Sequence, residues 1–385
     1  MKKEDKFNSS KLSQFNILNA IFKIFFRENK AYSELILSDC HNILVINFDL
    51  IGDAVMMIPF LKVLRKSVPD AHISVVGQGF LKDMYDGQGL VDEIIICKSR
   101  FMRSLKTMYS DYKNAMKVIH KVNRKYYDLV LEPRGDLRDI LFMHLCRADR
   151  KVGYNYTGGE YMMTDVIKPS ESIEHLIDDK LYFLKMLGCN ISDDDRYPKL
   201  IITSEQKGFI DEYKKQNNLE NKFVIGIHPG ASMEIKMWPK FDELLKLLYK
   251  KYPEAVFAIF EEPGSNKGAD KLINLVDDIG AEYIFIKEKF KKYLSLIAIC
   301  DIVICNDSGI GHIATAYGIE THVIFGPVLE NLAKPLSTEN VYTYSENIDC
   351  KPCLRTSCDR HIECLQRVSV ADVYNNIVSI DRQKF

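Results

Sequence analysis

The chain has 385 residues, more than one hydrophobic core usually supports, so two domains are expected. Apolar residues make up 46% and charged residues 27%, which is ordinary for a globular protein and excludes wholesale disorder. Lysine and arginine total 52 against 53 acidic residues, so the chain lacks the net basic field that nucleic-acid binding uses. It has no secretory h-region and no apolar run long enough to span a bilayer, which predicts a cytoplasmic location.

Residues 1–37 differ in pattern from the rest of the chain. Between positions 15 and 26 most side chains are apolar, and Lys23, Arg27 and Lys30 are interleaved with them or follow them. This pattern predicts a short basic amphipathic helix. One interpretation is a peripheral anchor on the inner face of the inner membrane, whose cations meet anionic lipid. The other is a helix packed on the flank of its own domain.

From residue 42 onward, short β-branched runs alternate with helical patterns, which is typical of βαβ units and parallel sheets. The first series predicts strands at 42–48, 72–77, 93–97 and 128–133, with helices such as Ala54–Ser67 and Tyr109–Lys125 between them. The second predicts strands at 223–230, 255–261, 283–287, 301–307 and 321–327. The predicted fold class is therefore α/β, with two Rossmann-like domains at 38–205 and 206–330. A cysteine-rich segment and a C-terminal helix occupy 331–385.

The turns that leave the predicted strands form the candidate site, because ligands of open parallel sheets bind beyond the carboxyl ends of the strands. In the first turn, Gly52 permits close backbone approach, while Asp53 either points into the expected interdomain cleft or only caps its helix. The second turn holds Gly230 and Ser232, and Lys236 follows shortly after. Amides, a hydroxyl and a mobile cation could together hold an anion there.

The third turn passes from an apolar strand directly into a helix. Its candidate residues are Asp307, Ser308, Gly309, Ile310 and His312. The glycines keep side chains away from the helix N-terminus, so its unpaired amides predict a diphosphate cradle, and a glycine-rich cap with a core-facing His312 is the alternative. In the fourth turn, Gly326 either lets the backbone approach a base or ribose or serves the fold alone. No GxGxxG follows the first strand, which argues against a nicotinamide dehydrogenase.

Cysteines fall into two groups. Six occur singly in apolar runs and are expected to be buried as small hydrophobes; they are Cys40, Cys97, Cys146, Cys189, Cys300 and Cys305. Four lie close together, at Cys350, Cys353, Cys358 and Cys364. Their thiolates would suit a structural zinc or iron ion, although the spacing is not that of a double CxxC knuckle, so a cluster without metal stays open. Disulfides are not expected in a reducing cytosol.

Together these motifs resemble glycosyltransferase family 9, the heptosyltransferases of lipopolysaccharide assembly. The resemblance runs from about Asn42 to about Val373 and rests on five blocks in order: NFDLIGDAVMMIPFLKVLRKSVPDAHISVVG, YYDLVLEPRGDLRD, HLIDDKLYFLKMLG, IGIHPGASMEIKMWP and DIVICNDSGIGHIATAYGIETHVIFGP. It implies the GT-B fold and transfer of a sugar, with inversion of its anomeric configuration, from a nucleotide diphosphate donor. The usual donor of the family is ADP-heptose.

The resemblance also implies roles for individual residues. Asp53 matches the proposed catalytic base, and Lys236 matches the lysine that contacts the donor diphosphate. The block from Asp307 to His312 matches the motif that binds the donor phosphates and sugar. No cofactor is implied for catalysis, and the implied acceptor is a lipid-linked glycan such as lipopolysaccharide core.

Two departures leave the acceptor open. The loop Asn47–Leu50 lacks the basic residue that relatives usually carry, and the amphipathic extension before residue 38 is also unusual. A capsule intermediate and a protein hydroxyl are alternative acceptors. Two further alternatives concern the activity itself: a non-catalytic nucleotide-sugar-binding protein, and a sugar-nucleotide epimerase on the same two-domain architecture.

Overall fold

The computed structural model describes residues 1–7, 9–26, 34–98, 108–262, 268–353, 355 and 357–379. The chain divides into two compact units, Met1–Arg196 and Tyr197–Phe385, called here the first and second unit. Nowhere in these described ranges is a helix both long and apolar enough to cross a bilayer.

A parallel sheet forms the centre of the first unit. Its described strands are β1 (Asn42–Asn47), β2 (His72–Gly77), β3 (Glu93–Ile96), β4 (Tyr127–Glu132), β5 (Ala148–Tyr154) and β6 (Asp165–Ile167). Its described helices are α1 (Lys3–Lys6), α2 (Ser9–Phe25), α3 (Ile51–Val55), α4 (Ile58–Ser67), α5 (Phe80–Tyr85), α6 (Met108–Val122), α7 (Leu137–Leu145) and α8 (Leu176–Lys185). The strand order is β3-β2-β1-β4-β5-β6. Because the order reverses between β1 and β4, the turns after these two strands lie at a position where such sheets bind ligands.

The second unit repeats this plan. Its described strands are β7 (Val224–His228), β8 (Val256–Phe260), β9 (Tyr283–Ile286), β10 (Ile302–Asn306), β11 (Glu320–Phe325) and β12 (Val341–Ser345). Its described helices are α9 (Ser204–Gln216), α10 (Phe241–Lys251), α11 (Ala269–Ile279), α12 (Phe290–Ile297), α13 (Gly309–Ala316), α14 (Glu330–Ala333), α15 (Glu363–Gln366) and α16 (Val370–Ser379). The order is β12-β11-β10-β7-β8-β9, so the reversal falls between β10 and β7.

Several elements differ from the sequence prediction. The helix expected at Ala54–Ser67 is two helices, because Pro59 lies in the first turn of α4 and cannot donate a hydrogen bond to a preceding turn. Strands β5, β6 and β12 were not predicted. Charged residues interrupt the apolar sequence of β5. One of them, Arg150, forms an ion pair with the neighbouring strand, because its Nε donates to Asp165 Oδ2 on β6 at 2.9 Å.

The unit boundary also lies earlier in the chain than residue 205. The Leu200 amide donates to the Ala316 carbonyl at 2.9 Å, which ties the segment before α9 to the second unit. The segment 331–385 is not separate from this unit, since β12 is an edge strand of its sheet and α16 packs against α10.

Helix α2 packs on the first unit along one face and is exposed along another. On the packed face Phe15 is buried, with the Arg138 guanidinium 5.2 Å from its ring centroid, and Asn19 Oδ1 accepts the Gly159 amide at 2.9 Å. Elsewhere on the helix, Ile24 is 79% exposed and Phe25 is 76% exposed. The flank-packing interpretation is therefore confirmed, but the packing leaves large apolar side chains uncovered.

Candidate active site

The carboxyl ends of β7 and β10 bring a lysine and an aspartate together in the second unit. Lys236 follows β7 in a short 3-10 helix, and Asp307 directly follows β10. Lys236 Nζ donates to Asp307 Oδ2 at 2.6 Å, and both side chains are largely buried. Because β7 and β10 are neighbours in the sheet, the two turns that the sequence identified meet at one place.

Asn306 holds the two turns in register. Its side chain is fully buried, Oδ1 accepts the Trp238 amide at 2.9 Å, and Nδ2 donates to the carbonyls of Pro229 and Gly230 at 2.8 and 3.1 Å. An amide can donate and accept at once, so this residue satisfies backbone groups on both sides of Lys236. The position of the lysine is thereby fixed by a residue of the strand that carries Asp307.

The start of α13 lies beside this ion pair. Ser308 is its N-cap residue, and Ser308 Oγ lies 3.3 Å from His228 Nδ1 rather than capping the helix. The first-turn amides of a helix have no acceptor within the helix, so this end favours a bound anion. Gly311 allows the helix to pack closely on the sheet, because a Cβ there would lie 2.9 Å from Cys305 Sγ.

The two histidines of this region do not supply its positive charge. Burial lowers the pKa of His228 to about 4. It lowers the pKa of His312 to about 4 as well, with Asp307 opposing the shift and Lys236 adding to it. Both imidazoles are therefore neutral near pH 7. In the described part of this region, a diphosphate would meet Lys236 and the amides that open α13.

The remaining candidate residues of the second unit have simpler surroundings. Ser232 is exposed, while Gly326 is buried, and a Cβ on Gly326 would lie 2.9–3.1 Å from the Leu365 side chain. Close packing on Leu365 therefore accounts for this glycine, and its approach to a base or ribose stays a prediction. Trp238 is buried in the core of the second unit, with its ring centroid 5.2 Å from that of Phe241.

In the first unit, Gly52 and Asp53 lie in α3, half-buried, just beyond the carboxyl end of β1. Four residues before Asp53, the buried Asp49 forms a hydrogen-bonded ion pair with Arg134, which follows β4. The other oxygen of Asp49 lies 3.4 Å from Lys180 Nζ on α8. Asp53 thus lies beside a buried charge cluster. The expectation that Asp53 faces the diphosphate pocket across a cleft stays a prediction.

Arg134 and Lys180 were not identified from the sequence. Arg134 could have been found, since it lies in a turn that leaves a predicted strand, in the same way as Asp53. Lys180 gave no such signal, because it lies within a helix and 131 residues separate it from Asp49.

The cysteines divide as predicted into buried single residues and a cluster. Cys40, Cys97, Cys146, Cys189, Cys300 and Cys305 are buried. Cys350, Cys353, Cys358 and Cys364 line one small cavity, and Cys358 Sγ accepts the Ile362 amide at 3.3 Å. However, no three histidine, cysteine or acidic side chains in the described ranges are arranged to ligate a metal ion. As placed, the cluster does not fit the predicted metal site.

Two doubly wound parallel-sheet units, with the candidate site at the strand-to-helix turn of the second, are the architecture of the GT-B class. Residues 115–362 match the sequence model of a protein family that is described as glycosyltransferase family 9 (heptosyltransferase). The chain therefore belongs to glycosyltransferase family 9.

Relatives are similar over most of their length. Lipooligosaccharide heptosyltransferase 2 of Campylobacter jejuni is 23% identical over 337 residues, which cover 85% of this chain and 95% of that protein. A family 9 glycosyltransferase of Veillonella parvula superposes with a TM-score of 0.74 at 19% identity, covering 91% of this chain and 98% of the other. The ADP-heptose lps heptosyltransferase II of E. coli superposes with a TM-score of 0.67 at 19% identity, covering 88% and 98%. The structural similarities confirm the predicted fold.

Proposed function

We propose that this protein transfers a heptose from ADP-heptose to a lipid-linked glycan of the lipopolysaccharide or lipooligosaccharide core, with inversion at the anomeric carbon. The observation that carries the proposal is the pair of Lys236 and Asp307 at the start of α13, 2.6 Å apart and fixed by Asn306. This arrangement suits a diphosphate with an attached sugar. The heptosyltransferase names of the relatives favour heptose as that sugar and a lipid-linked core glycan as its acceptor.

The proposed reaction is a single in-line displacement. An acceptor hydroxyl forms a bond to the anomeric carbon as the bond from that carbon to the diphosphate oxygen breaks. Asp53 takes the hydroxyl proton, a contribution typically worth about 10² to 10⁴ in rate. Lys236 and the amides of Gly309 and Ile310 stabilise the negative charge that grows on the leaving diphosphate. Because these groups supply positive charge, we expect transfer to proceed without a metal ion.

A lipid-linked acceptor would explain why helix α2 exposes apolar side chains. A lipid-linked acceptor lies at a membrane surface, and α2 exposes Ile24 and Phe25 beside the exposed Lys23. An amphipathic helix of this kind binds at the boundary of lipid headgroups and acyl chains. We therefore propose peripheral contact with the inner membrane through this helix.

Calorimetric titration tests the donor directly. We expect ADP-heptose to bind more tightly than UDP-glucose and GDP-mannose. Tighter binding of either UDP-glucose or GDP-mannose than of ADP-heptose would contradict the proposal. Transfer to a core-glycan acceptor should then be lost in Asp53→Asn while donor binding is retained. Donor binding without transfer or donor hydrolysis, unaffected by Asp53→Asn, would indicate the non-catalytic binding protein instead.

Metal independence has its own test. Transfer should be unchanged after treatment with EDTA and should not be stimulated by Mg²⁺ or Mn²⁺. Elemental analysis of protein purified without chelator tests whether the cluster formed by Cys350, Cys353, Cys358 and Cys364 binds zinc or iron in a rearranged form.

A further inference from the structure

A buried lysine lies just before helix α2. Lys6 is the last residue of α1, its side chain is 7% exposed, and its Nζ donates to Asp179 Oδ2 on α8 at 2.7 Å. The ammonium also lies 4.3 and 5.4 Å from the ring centroids of Tyr156 and Tyr154. Tyr156 Oη donates to Asp179 Oδ1, and Tyr154 Oη donates to the Asp179 carbonyl, each at 2.7 Å. The carboxylate and the two aromatic faces together offset the cost of burying the ammonium, so they hold Lys6 in one place.

Phe7 joins this ion pair to α2. Its side chain is buried, and its ring centroid lies 6.0 Å from that of Phe15 on α2 and 6.4 Å from that of Tyr156. The rings of Phe7 and Phe15 meet edge to face, an arrangement that aromatic pairs favour. Lys6 and Phe7 therefore connect the body of the first unit to α2, and they are called here the Lys6–Phe7 clasp.

Two further contacts hold α2 along its length. Tyr161 Oη donates to the carbonyl and to Oδ1 of Asn19, both at 3.0 Å. Directly after the helix, the ring centroid of Phe26 lies 4.8 Å from that of His144. With 3.6 residues per turn, the exposed apolar residues lie on the face opposite these contacts. They are Ile17, Ile21, Ile24 and Phe25. The contacts thus give α2 one direction on the first unit, with its exposed apolar face turned outward.

The clasp lies at the carboxyl edge of the first sheet. Tyr154 is the last residue of β5, and Asp179 lies in the first turn of α8. The next residue, Lys180, has its Nζ 3.4 Å from Asp49 Oδ2, which follows β1. This edge is where doubly wound sheets bind ligands, and it carries Asp53, the proposed base. Helix α2 is therefore fixed to the edge at which the acceptor would react.

We infer that Lys6 is a positioning residue: through the Lys6–Phe7 clasp it holds α2 in one orientation, so that α2 on a membrane directs the carboxyl edge of the first unit toward a lipid-linked acceptor. The inference rests on the proposed acceptor class and on the proposed membrane contact of α2. A helix that moved freely relative to the first unit would bring the acceptor near without orienting it. Orientation contributes to the rate because it removes rotational freedom before the chemical step. Loss of the clasp should therefore lower transfer without lowering membrane binding.

The variant Lys6→Glu tests the inference, because it places a second carboxylate against Asp179 and releases the clasp. Release lets water reach Asp179, so the first unit is not left with a buried unpaired charge. We expect kcat/KM for a core-glycan acceptor in vesicles of phosphatidylethanolamine and phosphatidylglycerol to fall about tenfold or more, and kcat/KM for the same acceptor without its acyl chains to stay within about twofold. Flotation with the vesicles should be retained, since Ile24 and Phe25 are unchanged. Lys6→Arg keeps the charge and should retain most of the rate.

A matched control separates orientation from stability. Arg65 forms an ion pair with Asp92 beside β3, at the opposite end of the strand order from β5 and β6. Arg65→Glu reverses a charge in this pair and should leave both values of kcat/KM as in the unmodified protein. Phe7→Ala keeps the ion pair of Lys6 but removes the ring against α2, so it should act in the same direction as Lys6→Glu. In Lys6→Glu, an equal loss with both acceptors, or an unchanged rate with vesicles, would overturn the inference.

Hydrogen exchange of the full chain gives a readout besides activity. Helix α2 has 17 residues, a length at which an isolated helix is only marginally stable in water. Its amides should therefore exchange at least about tenfold faster in Lys6→Glu than in the unmodified protein or in Arg65→Glu. Equal exchange in the three proteins would overturn the inference. If the unmodified protein transfers to neither acceptor, the proposed function fails, and the exchange of α2 still decides whether the clasp holds this helix.

Discussion

Lys236 and Asp307 form an ion pair of 2.6 Å across 71 positions of the chain, at the point where β7 and β10 both end. The pair is nearly neutral as a unit, so a diphosphate that binds as proposed would compete with Asp307 for the ammonium. A flexible lysine can turn from a carboxylate to a phosphate without moving the backbone. The ion pair with Asp307 therefore holds the Lys236 ammonium at the proposed donor site before the donor binds.

Replacing Lys236 by alanine should weaken both binding and turnover of the donor. We expect a loss of roughly 2 kcal/mol, or about thirtyfold in kcat/KM, from one charge-assisted contact. The Asp307 carboxylate would then also face the diphosphate without its cation. Steady-state kinetics with ADP-heptose measure the loss. Lys222 pairs with Glu282 at 3.0 Å and serves as the control, since Lys222→Ala should keep the original kcat/KM; equal rates in the two variants would contradict the assignment.

Buried histidines should make the second unit sensitive to acid. His228 and His312 have folded-state pKa values of about 4, against 6.5 in the unfolded chain. Between these values the unfolded state binds more protons, so stability should fall as the pH drops from 6.5 toward 4, by at most about 3 kcal/mol for each histidine. Urea unfolding at a series of pH values measures this fall. His312→Gln should reduce the slope against pH by about one proton, and an unchanged slope would contradict the buried neutral form.

The sequence allowed the sheets to be predicted where strands are buried on both faces. The inner residues of β1 (43–46) and the first four residues of β10 (302–305) are unbroken apolar runs, because helices cover both sides of a doubly wound sheet. Strand β5 escaped prediction because Arg150 and Lys151 interrupt it, and only the fold shows how they are satisfied. Lys151 Nζ, for example, donates to the His144 carbonyl at 2.6 Å.

In the candidate site, too, some residues could be predicted from the sequence and others depend on how the chain packs. Lys236 and Asp307 could be predicted because each lies in a turn at a strand's carboxyl end, where topology alone brings residues together. Lys180 could not, since its contact with Asp49 depends on how α8 packs. The neutral state of His312 also depends on burial, which the motif does not reveal.

Gly311 should be sensitive to the addition of a single methyl group. A Cβ there would lie 2.9 Å from Cys305 Sγ and 3.3 Å from Val323 Cγ2, so α13 would have to move away from the sheet. We expect Gly311→Ala to cost about 1–3 kcal/mol of unfolding free energy and to weaken donor binding, since the shifted helix carries the amides that we propose bind the donor diphosphate. Gly208 of α9 has no atom within 4 Å of its added Cβ. In urea titrations, Gly208→Ala should therefore gain about 0.5–1 kcal/mol, and a similar loss in both variants would show that packing is not the cause.

The exposed face of α2 should bind anionic lipid surfaces. Ile24 and Phe25 would each bury their side chains on insertion, which is worth about 1.5–3 kcal/mol per residue. The double variant Ile24→Glu/Phe25→Glu should therefore lose at least about tenfold in partition onto vesicles of phosphatidylethanolamine and phosphatidylglycerol, measured by flotation. Ile201 is 60% exposed in the second unit and provides the control, because Ile201→Glu adds a charge to an exposed apolar site outside α2. Binding of the double variant at the level of the unmodified protein would show that α2 does not contact the membrane. With neutral vesicles of phosphatidylcholine, binding of the unmodified protein should be weaker, since the Lys23 ammonium then finds no anionic headgroup.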